Sequence, residues 1–375
     1  MKQKRTVLFL PFLQISSGHH QAATAIIDSL KSSLPHLDCK KIDILSYSYG
    51  RIESLVSSIY LKWIHVFPNV YHFIYQLSVY RNVRENKRYR LYELLFIPFM
   101  KKLISESKPD FIICTHALPS YMLNVLKERG MLSTTVINIY TDYFIHRFWG
   151  MNHIDYHFVP TFNAAQLLVD RGVSQDRIFQ TGIPVHSKIV KQTNTADRKK
   201  DSFSILVSGG NLGVGAIESI LEKTSQESSF TYYVLCGKNK KLFDKLTHLE
   251  RSNIIPLSYI SCREKMNELY DKIDAIITKP GGVTVSEALL KKKPIFSYHA
   301  LPGQERINLK QLDELGVIIP LKMDAIEEQL TDFFNNQDLI QTYVEKVDLY
   351  HQYFYQKEPS KIIEELINKS FNSSG

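Results

Sequence analysis

The sequence has few cysteines, and none of them are spaced as a metal-binding pair. Cys39, Cys114, Cys236 and Cys262 are spread over 375 residues without a Cys-x-x-Cys motif. Sparse, separated thiols are typical of proteins from a reducing compartment, where a cysteine most often acts as a small apolar residue. The pattern therefore argues against structural zinc.

Long hydrophobic runs are absent as well, and no apolar stretch has the length needed to cross a bilayer. The apolar residues 6–13 follow a basic start but lead into Ser16-Ser17-Gly18-His19. That segment is not a small-residue cleavage site, so we expect no secretory signal. If the protein meets a membrane, we expect it to lie on the surface.

Two common nucleotide-binding motifs are incomplete. Gly210 and Gly215 have the spacing of a phosphate-binding P-loop, but Ala216 and Ile217 replace the required Lys and Ser or Thr. No Gly-x-Gly-x-x-Gly is present, and no acidic residue ends the predicted strand 231–235. ATPase and NAD-dependent dehydrogenase functions are therefore disfavoured.

The composition is that of an ordinary globular protein, with 44% hydrophobic and 22% charged residues. The length suits two domains, each large enough for its own core. The formal net charge of +8 favours an anionic partner, such as a nucleotide, an anionic lipid or a nucleic acid, without choosing among them.

Two series of short apolar runs alternate with helical patterns, which predicts an α/β fold with two doubly wound parallel sheets. The first series of predicted strands comprises residues 6–12, 41–45, 110–114, 135–140 and 156–159. The second comprises residues 203–207, 231–235, 254–257, 273–278 and 294–297. Residues 178–201 resemble an interdomain linker. Ligands of such sheets bind beyond the carboxyl ends of the strands.

Residues 51–102 interleave aromatic and basic residues, as an amphipathic surface in contact with an anionic membrane would. The residues expected to make this contact are Trp63, Phe67, Arg81, Arg84, Lys87, Arg88, Arg90, Phe96 and Phe99. The aromatics could instead pack in a core beneath a solvated basic face. Single-stranded nucleic acid is a third possibility, but no nucleic-acid-binding signature accompanies the segment, so none is expected as a partner.

Glycine-containing loops precede two predicted helices in the second series. A helix N-terminus with nearby glycines suits a diphosphate, because free N–H groups can approach it closely. Glu287 lies about one turn beyond Gly281 and Gly282, where its carboxylate could accept hydrogen bonds from ribose hydroxyls. Alternatively, the loops are tight strand-to-helix connections and Glu287 is a surface residue.

Several motifs together resemble the processive diacylglycerol glucosyltransferases and monogalactosyldiacylglycerol synthases of glycosyltransferase family 28. In order, they are Gly18-His19 with Gln21-Ala22-Ala23, Thr141-Asp142-Tyr143 with Trp149, Gly182-Ile183-Pro184-Val185, Cys236-Gly237-Lys238-Asn239, Lys279-Pro280-Gly281-Gly282 with Ser286-Glu287-Ala288, and Pro302-Gly303-Gln304-Glu305 with Asn308. They cover most of the chain. Two departures are Ser16-Ser17 before Gly18, where the family has more glycine, and the residues of the loop 208–213.

The resemblance implies a GT-B fold, with two Rossmann-like domains facing a central cleft. We expect an acceptor- and membrane-binding domain at 1–190, a UDP-sugar-binding domain at 191–345 and a last helix, 346–375, returning to the first domain. The implied activity is inverting transfer of a hexose, with UDP-glucose favoured as the donor, to diacylglycerol or a glycosyl-diacylglycerol. No cofactor or metal is implied, and the implied location is the cytoplasmic face of the membrane.

Residue roles also follow from the resemblance. His19 is the implied general base, although its neighbour His20 competes for that role, and Asp142 assists the base or orients the acceptor. The implied UDP-sugar contacts are Gly209, Gly210, Asn211, Gly213, Met266, Lys279, Gly281, Gly282, Glu287, Gln304, Glu305 and Asn308.

Other functions remain open at this point. A UDP-sugar transferase with a polyprenyl-linked or soluble acceptor would share these motifs. A UDP-sugar 2-epimerase would share the fold but has no use for the surface at 51–102. A binding protein without catalysis is the fourth possibility.

Overall fold

The computed structural model describes residues 5–12, 18–49, 88–191, 202–209, 217–298 and 303–372. The chain divides into two compact units. The first unit is Met1–His186 together with Tyr353–Gly375, and the second is Ser187–Gln352. The sequence places the corresponding boundaries at 190 and 345.

The first unit is built on a parallel sheet of six strands in the order β2-β1-β3-β4-β5-β6. The strands are β1 (Thr6–Leu10), β2 (Asp38–Lys41), β3 (Phe111–Cys114), β4 (Thr135–Ile139), β5 (Tyr156–Val159) and β6 (Ile178–Gln180). The described helices are α1 (Gly18–Ser33), α2 (Ile44–Tyr49), α3 (Arg90–Ser107), α4 (Ala117–Glu128), α5 (Phe162–Asp170) and α13 (Pro359–Asn372), with a 3-10 turn at Gln175–Arg177.

Hydrophobic cores lie on both faces of this sheet, as expected for parallel strands buried on both sides. Alternate residues of β1 show the division, since Leu8 and Leu10 belong to one core and Val7 and Phe9 to the other. The second core includes Ile363 of α13. The terminal segment is thus an integral part of the first unit.

The second strand of the first sheet lies earlier than predicted. Residues 38–41 form β2, whereas 44 and 45 begin α2, so the expectation of a strand at 41–45 is wrong. The cause is Asp43, whose Oδ1 accepts a hydrogen bond of 2.9 Å from the main-chain N–H of Leu45. An aspartate in this arrangement favours a helix start over a continuing strand. Ile44 and Leu45 then enter the core from α2.

Part of the predicted linker also belongs to the first unit. Residues 178–180 form β6, paired in parallel with β5. The N–H groups of Thr181 and Gly182 both donate to the carbonyl oxygen of Val159. Residues 192–201 of the predicted linker lie outside the described ranges.

The second unit has its own parallel sheet, in the order β12-β11-β10-β7-β8-β9. Its strands are β7 (Phe203–Ser208), β8 (Phe230–Leu235), β9 (Ile254–Leu257), β10 (Ala275–Thr278), β11 (Ile295–Ser297) and β12 (Ile319–Pro320). The described helices are α6 (Ile217–Glu222), α7 (Lys240–Thr247), α8 (Arg263–Lys272), α9 (Gly282–Leu290), α10 (Gln304–Glu314), α11 (Ile326–Asn335) and α12 (Gln337–Gln352).

Every strand pairing in both described sheets is parallel, so each sheet has one edge at which its strands end. The predicted class of two doubly wound α/β domains is confirmed. The residues that follow the strands at those two edges are the natural candidates for ligand binding.

Candidate functional site

The carboxyl edge of the first sheet brings together polar groups from three parts of the chain. His19 stands at the start of α1, Thr115 follows β3, and Thr141 and Asp142 follow β4. The sequence predicts His19 and Asp142 as site residues, and the structure places them near one another, since the Asp142 charge acts on the imidazole.

The hydrogen bonds of His19 define its tautomer. Nδ1 lies 2.9 Å from the carbonyl oxygen of Thr115 and 2.6 Å from the Thr141 hydroxyl oxygen. That hydroxyl itself donates to the Thr115 carbonyl over 3.2 Å. Because a carbonyl oxygen only accepts, Nδ1 carries the proton and Nε2 presents its lone pair.

The pKa of His19 is lowered from its ordinary value of 6.5, chiefly because burial disfavours the charged imidazolium. The Asp142 charge and the hydrogen bond to Thr115 act in the opposite direction and raise the pKa. The balance leaves a neutral imidazole at neutral pH. A neutral ring with an available Nε2 can accept a proton.

Two further histidines lie beside His19, and the sequence did not single them out as site residues. The ring of His116 packs edge-to-face on His19 with centroids 4.8 Å apart. His116 also caps α4, since its Nδ1 accepts from the N–H of Leu118 at 3.2 Å. Burial lowers the pKa of His116 well below 6.5 and that of His146 to about 3, so both are neutral.

The segment that carries Asp142 is anchored at Gly150. Its N–H donates to Ser120 Oγ over 3.0 Å, and its carbonyl accepts from Asn138 Nδ2 over 2.7 Å. A Cβ at this position would lie 2.5 Å from Asn124 Cβ and 2.5 Å from the Ser120 carbonyl oxygen. Only glycine fits here, so the path of residues 141–149 depends on it.

Only some of the residues predicted to contact a membrane lie in the part of the chain that the structure describes. Trp63, Phe67, Arg81, Arg84 and Lys87 lie outside the described ranges. Phe96 is 5% exposed and packs in the core, which corrects the expectation that it contacts a membrane. Phe99 is partly buried against the same core.

The cationic members of the predicted membrane set lie at the start of α3. Arg88 forms ion pairs with Glu93 and Glu128, while Arg90 is exposed. The exposed apolar side chains of α3 are instead Leu91 (66%), Tyr92 (44%), Leu94 (74%) and Leu95 (40%). Leu91, Leu94 and Leu95 have the spacing of a single helix face. We call these four residues the α3 surface.

The carboxyl edge of the second sheet carries the predicted nucleotide-binding residues. Gly209 follows β7, and Gly281 is the N-cap of α9, directly after β10. Two buried hydroxyls fix the end of β7, since Thr278 Oγ1 and Tyr298 OH donate to the Ser208 carbonyl at 3.2 and 3.0 Å. Gly210, Asn211 and Gly213 lie outside the described ranges.

Glycine at 281 is not required by its backbone or its packing. The φ angle is −85°, an ordinary value for any residue. A Cβ built there would meet no described atom within 4 Å. The small residue therefore keeps the N-terminus of α9 open, as a site for a phosphate group would need.

Glu287 is buried, with only 5% of its surface exposed, rather than a surface residue. Its Oε2 accepts a hydrogen bond of 2.9 Å from Tyr270, and Arg263 Nη1 lies 3.6 Å from its Oε1. Burial raises the pKa of Glu287, while Arg263 and Tyr270 hold it down. Glu287 is thus a buried carboxylate with one hydrogen-bond donor and one nearby cation.

The remaining predicted contacts lie on the same unit. Lys279 Nζ pairs with Glu305 Oε1 at 3.2 Å, and both side chains are largely buried. Gln304 and Glu305 form the first turn of α10, while Asn308, one turn later, is 1% exposed. Met266 is 8% exposed on α8. The roles assigned to these residues stay predictions.

Neither a membrane-spanning helix nor a metal-binding cluster occurs among the described residues. No described helix is long and apolar enough to cross a membrane. No cluster of His, Cys, Asp or Glu among the described residues could hold a metal ion.

Comparisons with known proteins agree on one family. The model of the monogalactosyldiacylglycerol (MGDG) synthase family matches residues 19–185. An uncharacterized glycosyltransferase of Bacillus subtilis, YkoN, is 39% identical over 98% of this chain and 99% of its own length. A processive diacylglycerol beta-glucosyltransferase of Bacillus cereus is 27% identical over 82% of this chain and 80% of its own length.

A solved structure supports the fold. MurG of Acinetobacter baumannii superposes with a TM-score of 0.59 over 97% of this chain and 99% of its own. The sequences are 14% identical, so this likeness concerns the fold alone. The expectation of a two-domain GT-B fold is confirmed.

Proposed function

The chain belongs to glycosyltransferase family 28, and from that premise we propose that it transfers a hexose from a UDP-sugar to diacylglycerol or a glycosyl-diacylglycerol at a membrane surface. UDP-glucose is the favoured donor, since the Bacillus cereus relative is named a glucosyltransferase. The observation that carries the catalytic part of the proposal is the placement of His19, whose Nδ1 lies 2.9 Å from the Thr115 carbonyl oxygen and so leaves the Nε2 lone pair as a base.

The proposed first step is removal of a proton from the acceptor hydroxyl by His19 Nε2 as the hydroxyl oxygen attacks the anomeric carbon. Proton transfer to a positioned base contributes about 10²–10⁴-fold to the rate. The Thr115 carbonyl, at 2.9 Å from Nδ1, holds the ring in place and stabilises the imidazolium that forms. Asp142 adds electrostatic stabilisation of that positive charge.

The proposed displacement is a single step and therefore inverts the anomeric carbon. UDP leaves as the sugar bond to its phosphate breaks, and negative charge develops on the diphosphate. The N-terminus of α9, which begins at Gly282, presents the partial positive charge of the helix dipole to that group. Lys279, beside the same turn, supplies a countercharge.

The same unit would bind the rest of the donor. Glu287 accepts hydrogen bonds from the ribose hydroxyls, and Gln304 and Glu305 contact hydroxyls of the transferred sugar. Asn308, buried one turn further along α10, supports the first turn of that helix. Gly209 and its loop add N–H groups to the diphosphate site, and Met266 borders the uracil.

The α3 surface supports a location on a membrane. Its exposed leucines can enter the acyl boundary, while the exposed Arg90, Lys101 and Lys102 meet anionic headgroups. Each basic residue near such a surface contributes about 1 kcal/mol. We place this surface at the cytoplasmic face, where nucleotide sugars are available to the enzyme.

The test is an activity screen with vesicles that contain dioleoylglycerol and an anionic phospholipid. UDP-glucose, UDP-galactose and UDP-N-acetylglucosamine are supplied in turn, and lipid products are separated by thin-layer chromatography. We expect a glycosyl-diacylglycerol with UDP-glucose. Failure with all three donors, in a protein that still binds UDP, would overturn the diacylglycerol assignment in favour of a polyprenyl-linked or soluble acceptor.

A further inference from the structure

A fully buried tyrosine holds the carboxylate of Glu287 in place. Tyr270, on α8, is 0% exposed, and its hydroxyl donates to Glu287 Oε2, on α9, over 2.9 Å. Burial and the neighbouring carboxylate raise the pKa of Tyr270 well above 10. The phenol therefore keeps its proton, and remains a donor, throughout the neutral range.

The Glu287 carboxylate can accept more hydrogen bonds than the one from Tyr270. An ionised carboxylate offers about four lone-pair sites, of which Tyr270 uses one. Arg263 Nη1 lies 3.6 Å from Oε1, longer than a hydrogen bond. Glu287 is thus fixed through Oε2 while it can still accept hydrogen bonds from hydroxyl groups of a ligand.

Joining α8 to α9 does not depend on Tyr270. Lys291, the residue after α9, donates to Asp271 Oδ1 over 2.6 Å. Lys293 Nζ donates to the carbonyl oxygen of Ile273 over 2.7 Å. These two bonds connect α8 and the residues after α9 independently of the Tyr270 hydroxyl, so Tyr270→Phe leaves that connection in place.

We propose that Tyr270 is a positioning residue for the donor nucleotide: it orients Glu287 toward the ribose hydroxyls and so sets the preference for a ribonucleotide. The inference rests on the proposed role of Glu287 in ribose binding. A buried acceptor that is fixed before binding loses little freedom when the ligand arrives, which increases affinity.

The test compares two probes, UDP and 2′,3′-dideoxy-UDP, which differ only in the ribose hydroxyls. Calorimetric titration gives the affinity of each for the full-length protein. We expect the wild type to prefer UDP by about tenfold or more, as hydrogen bonds to a charged group allow. Tyr270→Phe should weaken UDP by about fivefold, leave dideoxy-UDP within twofold, and so reduce the preference.

The chain offers a matched control. Tyr232 is also 0% exposed, and its hydroxyl donates to a glutamate of the same unit, Glu327, over 2.9 Å. Tyr232→Phe removes the same kind of bond but should keep the wild-type preference. Both variants are first checked by melting curves, and the titrations are compared only at a temperature at which each variant is folded.

Two results would overturn the inference, and they differ in whether the proposed ribose-binding role of Glu287 is overturned as well. If Tyr270→Phe keeps the wild-type preference while Glu287→Gln removes it, Tyr270 is structural and the ribose role of Glu287 stands. If Glu287→Gln also keeps the preference, the ribose assignment fails and this inference falls with it. The transferase activity is judged separately by the product assay.

Discussion

Nδ1 of His19 lies 2.6 Å from the hydroxyl oxygen of Thr141, which joins the start of α1 to the end of β4. Nδ1 also lies 2.9 Å from the carbonyl oxygen of Thr115, which can only accept a hydrogen bond, so Nδ1 carries the proton. The ring is thereby presented as a base rather than as an acid.

Asp142→Asn should move the acidic limb of the pH–rate profile to lower pH. Asp142 raises the pKa of His19, so its removal lowers that pKa and keeps the base neutral in more acidic solution. The other titratable neighbours, His116 and His146, stay neutral because burial lowers their pKa values. We expect a shift of about 0.5–1 pH unit in kcat/KM.

The control for this measurement is Asp170→Asn, a substitution at the exposed end of α5. This variant should leave the acidic limb of the pH–rate profile where it is in the wild type. A limb that moves to higher pH in Asp142→Asn would show that the carboxylate does not act on His19 as described.

Gly150→Ala should destabilise the first unit and reduce activity. The new methyl group would lie 2.5 Å from Asn124 Cβ, so the segment that leads from Asp142 must move. We expect a loss of about 2 kcal/mol or more in unfolding free energy, measured by urea denaturation. Gly130→Ala is the comparison, since a methyl group at this position meets no described atom within 4 Å. Its expected loss of unfolding free energy, about 1 kcal/mol, comes only from the backbone φ of +68°. Equal losses in the two variants would contradict the packing argument.

Lys279→Gln should raise the KM for the UDP-sugar by about tenfold, with a smaller effect on the binding affinity for uridine, which keeps the ribose but lacks the phosphates. The lysine lies beside the N-terminus of α9 and pairs with Glu305 at 3.2 Å. A diphosphate that binds there would attract it more strongly than one carboxylate does. Lys310→Gln, on the exposed side of α10, provides the control. An unchanged KM would remove Lys279 from the diphosphate site.

Replacing Leu91 and Leu94 by serine should weaken sedimentation with anionic vesicles. These side chains are 66% and 74% exposed on α3 and would be the ones to enter a bilayer. Burying a leucine contributes about 1.5–3 kcal/mol, so we expect a decrease of about tenfold or more in binding. The matched pair Leu339→Ser with Leu349→Ser alters leucines 47% and 45% exposed on α12. Equal binding by both double variants would exclude the α3 surface as the membrane contact.

The sequence predicts most strands because parallel strands buried on both faces must be apolar along their length. The sequence pattern misplaces β2 because Asp43 starts a helix. The apolar residues Ile44 and Leu45 that follow it resemble the end of a strand. The short strand β6 is hidden within residues that look like a linker. Such errors arise where one polar contact or one pairing partner outweighs local composition.

Candidate site residues were predictable where a motif carries them, and less so where three-dimensional packing does. His19 and Glu287 follow from the family resemblance, but the tautomer of His19 depends on Thr115, 96 positions away. Tyr270 reaches Glu287 from another helix, without any local pattern to indicate it. Along α3, hydropathy could not separate the buried Phe96 from the exposed Leu94.

The most direct test of the account is the turnover of His19→Ala, compared with His20→Ala, in the vesicle assay with the donor that the wild type uses. We predict a loss of about 100-fold or more for His19→Ala, with UDP affinity within twofold of the wild type, and a far smaller loss for His20→Ala. Turnover of His19→Ala within about threefold of the wild type, or a larger loss in His20→Ala, would contradict the assignment of His19 as the base.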